Sequence, residues 1–409
     1  MERPDWIATT NIYEVNLRQY TEQGSFNAFA AELPRLKDMG IETLWFMPLT
    51  PIAVKNRKGS LGSYYACSDY KAINPEFGNE EDLRSLIKQA HETGFRVIID
   101  WVANHTGWDH VWTKTHPHFY KLDEFGDFQM ASGMEDIIEL NFQNSDMEEA
   151  MIEAMKWWVE EFDIDGFRCD LAFWVKLDFW KKARPRLDAI KKLFWLGEFD
   201  EMERPEFGES FDASYSWKWM HESEDYCRMN RSLPDLIQVL KQYDDLGPQC
   251  LRTWFTSNHD ENSWNGTEYE KYGAYAKALA VFSITWDGIP LIYSGQEKPN
   301  LKRLAFFDKD TIDWQDQYEL HGFYKELLYL KKFHPALKAG DNTVRTYLLK
   351  HDHPDQVLAY QRVSETETLT VALNLSENEL ELNITDERVQ LSDENRVHEL
   401  KSGGYVIIA

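Results

Sequence analysis

Arg168 and Asp170 lie two positions apart in the stretch Asp165-Gly166-Phe167-Arg168-Cys169-Asp170. In an extended chain residues two apart share a face, so the guanidinium and the carboxylate point the same way. A cation that close keeps Asp170 ionised near neutral pH, the state a carboxylate nucleophile needs. Standing alone, such a pair is more often an ordinary structural ion pair. What sets this one apart is its company at the ends of other apolar runs: Asp100 leading to Asn104-His105, then Gly197-Glu198, then Asn258-His259-Asp260. One carboxylate in such a place reads as a helix N-cap. Several together, each with an apolar strand body behind it, are hard to explain as caps.

Converging Asp and Glu without a basic cluster suit two chemistries, metal-assisted hydrolysis and glycoside hydrolysis by paired carboxylates. Of His105, His110, His116 and His118, only the last two have an HxH spacing, and they fall in mid-loop. The aromatic content, 16 Trp, 19 Tyr and 23 Phe, favours the glycoside chemistry. Aromatic faces stack on sugar rings while carboxylates handle hydroxyls and the developing positive charge. Core packing accounts for most of these rings. It fits less well for Tyr64, Tyr65, Trp101, Trp108, Trp112 and Trp174, which fall in loops or beside strand ends.

The elements that must carry these residues alternate. Strands are expected at Ile12–Leu17, Thr43–Met47, Arg96–Asp100, Gly166–Asp170, Leu193–Glu198, Phe211–Tyr215, Leu251–Thr256 and Ile289–Tyr293. Helices are expected from Ser25 to Met39 and at Glu80–Glu92, Asp146–Glu161, Asp178–Lys191, Leu233–Tyr243, Tyr269–Thr285 and Tyr318–Phe333. Repeated βα units argue for a parallel sheet, and eight of them for a closed (β/α)8 barrel, a TIM barrel, over 1–104 and 146–334. In such barrels the C-terminal strand ends build the active site. Residues 105–145 are too long for an ordinary βα loop and read as an excursion subdomain. After Pro335 the texture changes to short alternating segments, a C-terminal antiparallel β-domain over 335–409.

Bulk composition narrows the partners. The net charge of −26 argues against nucleic acid and anionic membranes, which demand a basic face. Cys67, Cys169, Cys227 and Cys250 are scattered and read as free thiols. With no basic n-region, no h-region and no apolar run near the roughly 20 residues that span a bilayer, a cytoplasmic protein is expected.

Four stretches then carry a resemblance: Asp100-Trp101-Val102-Ala103-Asn104-His105, Gly166-Phe167-Arg168-Cys169-Asp170, Gly197-Glu198 and Thr256-Ser257-Asn258-His259-Asp260. In order and strand position they resemble the short motifs of the α-amylase family of glycoside hydrolases (family 13), closest in type to a compact bacterial α-amylase. Gly40–Pro48 resembles the family's second strand, Gly288–Glu297 its eighth, and Ser63–Gly78 its second βα loop, so the likeness runs the length of the chain. The resemblance implies Asp170 as nucleophile, Glu198 as general acid/base and Asp260 as the carboxylate that holds ring hydroxyls. It implies that Arg168 orients Asp170, that Asp100, His105 and His259 support the first sugar site, and that Tyr65 stacks on that sugar. The reaction implied is retaining hydrolysis of α-1,4-glucosidic bonds in starch-type glucans or maltooligosaccharides, with no organic cofactor. Cyclomaltodextrinase, α-glucosidase and glucanotransferase are neighbouring specificities; a non-catalytic glucan-binding barrel is the reading from another class.

Two features depart from the family pattern. The Lys-His pair common after the nucleophile is replaced by Phe173 and Trp174, which makes Trp174 a candidate stacking platform on the leaving side. The family's structural calcium site has counterparts in Asn104 and in Glu139 of Ile137-Ile138-Glu139-Leu140-Asn141, so the resemblance implies Ca2+ there. The excursion is short, however, and lacks the histidine whose carbonyl often completes that site.

Overall fold

The computed structural model describes residues 2–247, 249–315, 317–384 and 397–409. Eight strands close into a barrel: β1 (Ile12–Val15), β2 (Thr43–Phe46), β3 (Arg96–Trp101), β4 (Gly166–Cys169), β5 (Phe194–Asp200), β6 (Ala213–Tyr215), β7 (Leu251–Trp254) and β8 (Ile289–Tyr293). They follow one another round the barrel in chain order, and the pairings along β1 to β5 are parallel. The apolar runs of β1, β2, β4 and β5 are buried throughout, as strands covered on both faces must be. Register sets the chemistry: Asp100 pairs with Arg168 across β3 and β4, and Cys169 pairs with Gly197 across β4 and β5. One residue further on come Asp170 and Glu198. Gly166 opens β4 because a side chain there would collide with the Phe194 carbonyl, 2.1 Å from the site of a Cβ.

Helices start where short polar side chains can take orphan N–H groups. Asn79 and Asp82 form a capping box at Glu80–Glu92, and Asn144 accepts from the amides of Asp146 and Met147 to start Ser145–Phe162. Two helical expectations change and one helix is added. The expected helix from Ser25 to Met39 is two pieces, Phe26–Ala30 and Leu33–Met39, because Pro34 has no N–H to continue the ladder. The Tyr269–Thr285 helix breaks at Gly273, whose φ of 53° and ψ of −126° are not helical, leaving Glu268–Tyr272 and Ala276–Thr285. A helix at Trp217–Cys227 went unread, since its buried face mixes Trp219 and Met220 with Ser223 and Glu224 and hides the period.

The excursion is a small β-structure. His105–Gly107 pairs antiparallel with Ile137–Glu139, and Ala131 and Ile137 pack with Ala53 and Ala66 of the second βα loop. The C-terminal strands are β9 (Arg345–Leu348), β10 (Val357–Val363), β11 (Thr368–Asn374), β12 (Leu380–Asn383), β13 (Val397–Leu400) and β14 (Tyr405–Ile408). They form an antiparallel sheet in the order β9-β10-β11-β14 and an antiparallel pair β12-β13 around Val357, Ala359, Ala372, Leu382 and Leu400. Within the expected domain 335–409, residues 385–396 lie outside the described residues, as do Met1, Pro248 and Asp316 within the expected barrel ranges. By contacts the chain forms two compact units, Met1–Pro4 with Ile12–Ser214 and Leu304–Gln317, and Asp5–Asn11 with Tyr215–Arg303 and Tyr318–Ala409.

Candidate active site

In the first unit, strand β4 is fixed at its N-terminal end by Asp165. That carboxylate lies 2.8 Å from His91 Nε2, 3.1 Å from Lys191 Nζ and 3.5 Å from Arg96 Nη1, and it accepts from the Val97 amide at 2.8 Å. Burial works against charge on Asp165, but His91, Lys191 and the Val97 amide outweigh it and hold the carboxyl below its usual range.

At the other end of β4 one buried cation serves several acids. Arg168 is fully buried, and its Nη1 donates to Asp100 Oδ1 at 2.9 Å and to Asp170 Oδ1 at 3.0 Å. Its Nη2 stands 2.9 Å from Glu198 Oε2. One guanidinium therefore meets three carboxylates from three adjacent strands. Trp45 on β2 lies 5.0 Å from the guanidinium carbon and closes it from water. The second oxygen contact of Glu198 is a backbone one: Leu171 N–H donates to Oε2 at 2.8 Å. To point that amide back, Leu171 takes left-handed angles, φ 39° and ψ 49°, unusual for a residue with a side chain. The same turn starts the short helix Ala172–Trp174.

The three carboxylates differ in access. The Asp100 side chain is 0% exposed, whereas those of Asp170 and Glu198 are each 9% exposed. Both oxygens of Asp100 are engaged, by Arg168 and by the Tyr65 hydroxyl at 3.0 Å, so Asp100 acts from behind Arg168. Tyr65 also lies near-parallel to Phe306, with ring centroids 6.2 Å apart at 17°. Phe306 was missed from sequence; its only signal is the Phe306-Phe307 pair in the long stretch after β8. Of the rings expected to be outside the core, Tyr64 and Trp101 are in it, each 1% exposed. Tyr64 sits under Arg18, 4.1 Å from ring to guanidinium, and Trp101 packs on Tyr70 and Phe167. Trp174 is half-buried and meets Phe173 edge-on.

His105 is buried, and burial pushes its pKa down to about 4, with Asp136 pulling weakly the other way. The ring is thus neutral near pH 7. With the Asn104 amide donating to Nδ1 over 3.4 Å, the proton sits on Nε2, which has no hydrogen-bond partner among the described residues. A buried donor in that state suits a ligand hydroxyl.

In the second unit, Asp260 follows β7 with its side chain 41% exposed, 3.4 Å from Nε2 of the buried His259. The turn that bears it is pinned from within. Asn258 Oδ1 accepts from the Glu261 amide at 2.8 Å, and Glu261 pairs with the buried Lys271 at 2.6 Å. Asn265 donates to the other oxygen of Glu261, closing a π-turn over Glu261–Asn265. Such turns are rare and recur at functional sites.

The residues implied for calcium do not fit it. Glu139 Oε1 holds Lys121 Nζ at 2.5 Å and Oε2 accepts from Gln129 at 3.1 Å, so an ammonium already neutralises the carboxylate. Nor do the four neighbouring histidines gather: among the described residues no three His, Cys, Asp or Glu side chains form a metal-holding group.

A closed barrel with strand-end carboxylates around one buried arginine is the setting that glycoside hydrolysis by paired carboxyl groups needs. The family described as the alpha-amylase catalytic domain matches residues 13–124 and 118–316, and the chain belongs to that family of glycosidases. A noncanonic maltogenic alpha-amylase from Thermotoga neapolitana superposes with a TM-score of 0.87 at 28% identity, over 98% of this chain and 96% of that one. The chain is 24% identical to alpha-amylase 2 of Dictyoglomus thermophilum over 92% of its own length and 71% of the relative's. It is 25% identical to a cyclomaltodextrinase of Geobacillus thermopakistaniensis, covering 88% of this chain and 63% of that protein, under two thirds of the relative's length.

Proposed function

We propose that this protein hydrolyses α-1,4-glucosidic bonds in maltooligosaccharides or starch-type glucans with retention of configuration. Asp170 attacks the anomeric carbon while Glu198 gives its proton to the departing glycosidic oxygen, leaving a glycosyl ester on Asp170. Glu198 then takes a proton from water, which attacks the same carbon, and Asp170 is released. Retention requires the two carboxyls about 5–5.5 Å apart. What supports the assignment is the single guanidinium of Arg168, which meets both Asp170 and Glu198 and so draws them close. Asp260 holds ring hydroxyls; Tyr65, His105, His259 and Trp174 bind sugar, and Asp100 keeps Arg168 in place. On this reading residues 1–104 and 146–334 supply the chemistry, 105–145 flank the sugar site, and 335–409 form a separate β-domain. Four free cysteines fit a reducing, cytoplasmic setting.

The test is the anomer first released from maltoheptaose, followed by proton NMR, with Asp170→Asn and Glu198→Gln as controls. The α-anomer, absent in both variants, is expected; β-anomer or activity in either variant overturns the assignment. Product patterns on maltoheptaose, cyclodextrin and pullulan then separate an amylase from the cyclomaltodextrinase reading. Any release of reducing ends rules out a purely glucan-binding barrel.

A further inference from the structure

The Lys-His pair that commonly serves the leaving side is missing here, and another cation stands beside the place it left. Arg204, in the loop after β5, carries its guanidinium carbon 5.6 Å from the centroid of Phe173. Both partners are held by their backbones. Arg204 N–H donates to Asp200 O at 2.9 Å, and Phe207 N–H donates to Arg204 O at 3.1 Å. Phe173 sits in the turn Ala172–Trp174, which Trp180 pins from behind by an indole hydrogen bond to Ala172 O at 2.9 Å.

Charge makes Arg204 unusual. Neighbouring cations on the helix Leu177–Asp188 all have carboxylates: Lys181 with Glu209, Lys182 with Glu149, Arg184 with Asp212 and Arg186 with Glu149. Arg204 is exposed and lies among Glu201, Glu203, Glu206 and Glu209, yet it makes no ion pair among the described residues. Its partner is the aromatic face of Phe173. A weakly hydrated guanidinium spread on a ring keeps its fork of N–H donors free for adjacent hydroxyls, and the ring beneath it offers an apolar surface. Two loops, one starting at Asp170 and one just past Glu198, thus present an aromatic face and a donor fork to the same spot.

We propose that Arg204, laid over Phe173, binds the glucose unit on the leaving side of the scissile bond and takes the place of the missing Lys-His pair. The proposal rests on the glycosidase reading above. The leaving unit is a neutral sugar with vicinal hydroxyls, which matches donors on an apolar bed better than a second anion would.

α-Maltotriosyl fluoride separates the two ideas, because its leaving group is fluoride and no sugar occupies the leaving side. In Arg204→Ala the ratio of kcat/KM for maltoheptaose to kcat/KM for α-maltotriosyl fluoride is expected to fall about tenfold, the size of one lost charge-assisted hydrogen bond. Arg204→Lys should recover part of that ratio, and inhibition by added maltose should weaken in parallel in the alanine variant. An unchanged ratio overturns the role of Arg204, including the case in which both substrates slow equally. If the native protein turns over neither substrate, the glycosidase reading fails instead.

Discussion

The two ends of strand β4 carry the same residue type in opposite electrostatic settings. At the N-terminal end one buried carboxylate, Asp165, is shared by His91, Arg96 and Lys191, and Lys191 also meets the exposed Asp163 at 2.6 Å. At the C-terminal end one cation, Arg168, is shared by Asp100, Asp170 and Glu198. The first arrangement gives one buried aspartate three side-chain partners and a backbone amide, which leaves it little to offer a ligand. The second leaves more carboxylate than cation, which is the charge a site needs if positive charge is to develop at a sugar carbon. The strand is therefore anchored where one buried acid has several basic partners, and it carries its candidate site where one buried cation has several acids. Barrels in general divide stability and chemistry between the same two faces.

Exchanging each aspartate for asparagine should break that contrast in opposite ways. Asp170→Asn is expected to lower kcat on maltoheptaose by about 10⁴-fold or more, as losing a reacting group does, with little change in the urea midpoint. Asp165→Asn should do the reverse. Breaking a buried network on one side costs about 3 kcal/mol, read as a lower urea midpoint, while kcat of the folded protein stays within about twofold. Acid should act on the same anchor. Because the Asp165 carboxyl is held below its unfolded value, its stabilisation is present above that value and is lost as pH falls through the native one.

Glu268 sharpens the comparison, since its hydrogen-bond partners are neutral. In the second unit it is fully buried and accepts from the Thr256 hydroxyl at 2.5 Å and from Gln296 at 3.0 Å. Burial therefore wins and pushes its pKa up to about 6, although Thr256, Gln296 and the charge of Lys271 oppose it. The sign follows: the proton is bound more tightly in the folded state, so stability is full below about pH 4.5 and declines as pH rises through about 6. Glu268→Gln should remove about 2 kcal/mol of that decline. Unfolding midpoints at pH 5 and pH 8 measure it, and parallel pH profiles for the native protein and the variant would contradict it.

The smallest effect belongs to the excursion. Lys121 and Glu139 are partly exposed, 42% and 18%, a setting in which an ion pair contributes about 1 kcal/mol or less. Because the ammonium stands where a cation would bind Glu139, EDTA should leave the melting temperature of the native protein unchanged. A drop on chelation, restored by calcium, would contradict the fit described for Lys121.

Much of this was legible in the sequence for a physical reason. Period-two geometry put Arg168 and Asp170 on one face, and unbroken apolar runs marked strands buried on both sides, so the barrel and its polar strand ends followed. Register between strands was not legible. That Asp100 stands opposite Arg168 depends on how β3 and β4 align across the excursion and its following helix, which no local pattern encodes. The same holds for Lys121 and Glu139, brought together by antiparallel pairing within the excursion. Tyr64 looked like a ring outside the core because composition does not say which loops fold back over the barrel, and Trp101 because no local pattern says that the last residue of β3 packs on Tyr70 and Phe167. Leu171 gave no signal at all, since a leucine in a left-handed turn follows from its surroundings and not from its type.

The central claim is that Asp170 and Glu198 form a retaining pair. Incubation with 5-fluoro-α-D-glucosyl fluoride, followed by proteolysis and mass spectrometry, tests it most directly by accumulating the glycosyl-enzyme. The account predicts a single added fluoroglucosyl group on the peptide that contains Asp170, and none in Asp170→Asn. Turnover of the fluoride with the label on a different carboxylate, or with undiminished labelling of the variant, would contradict it.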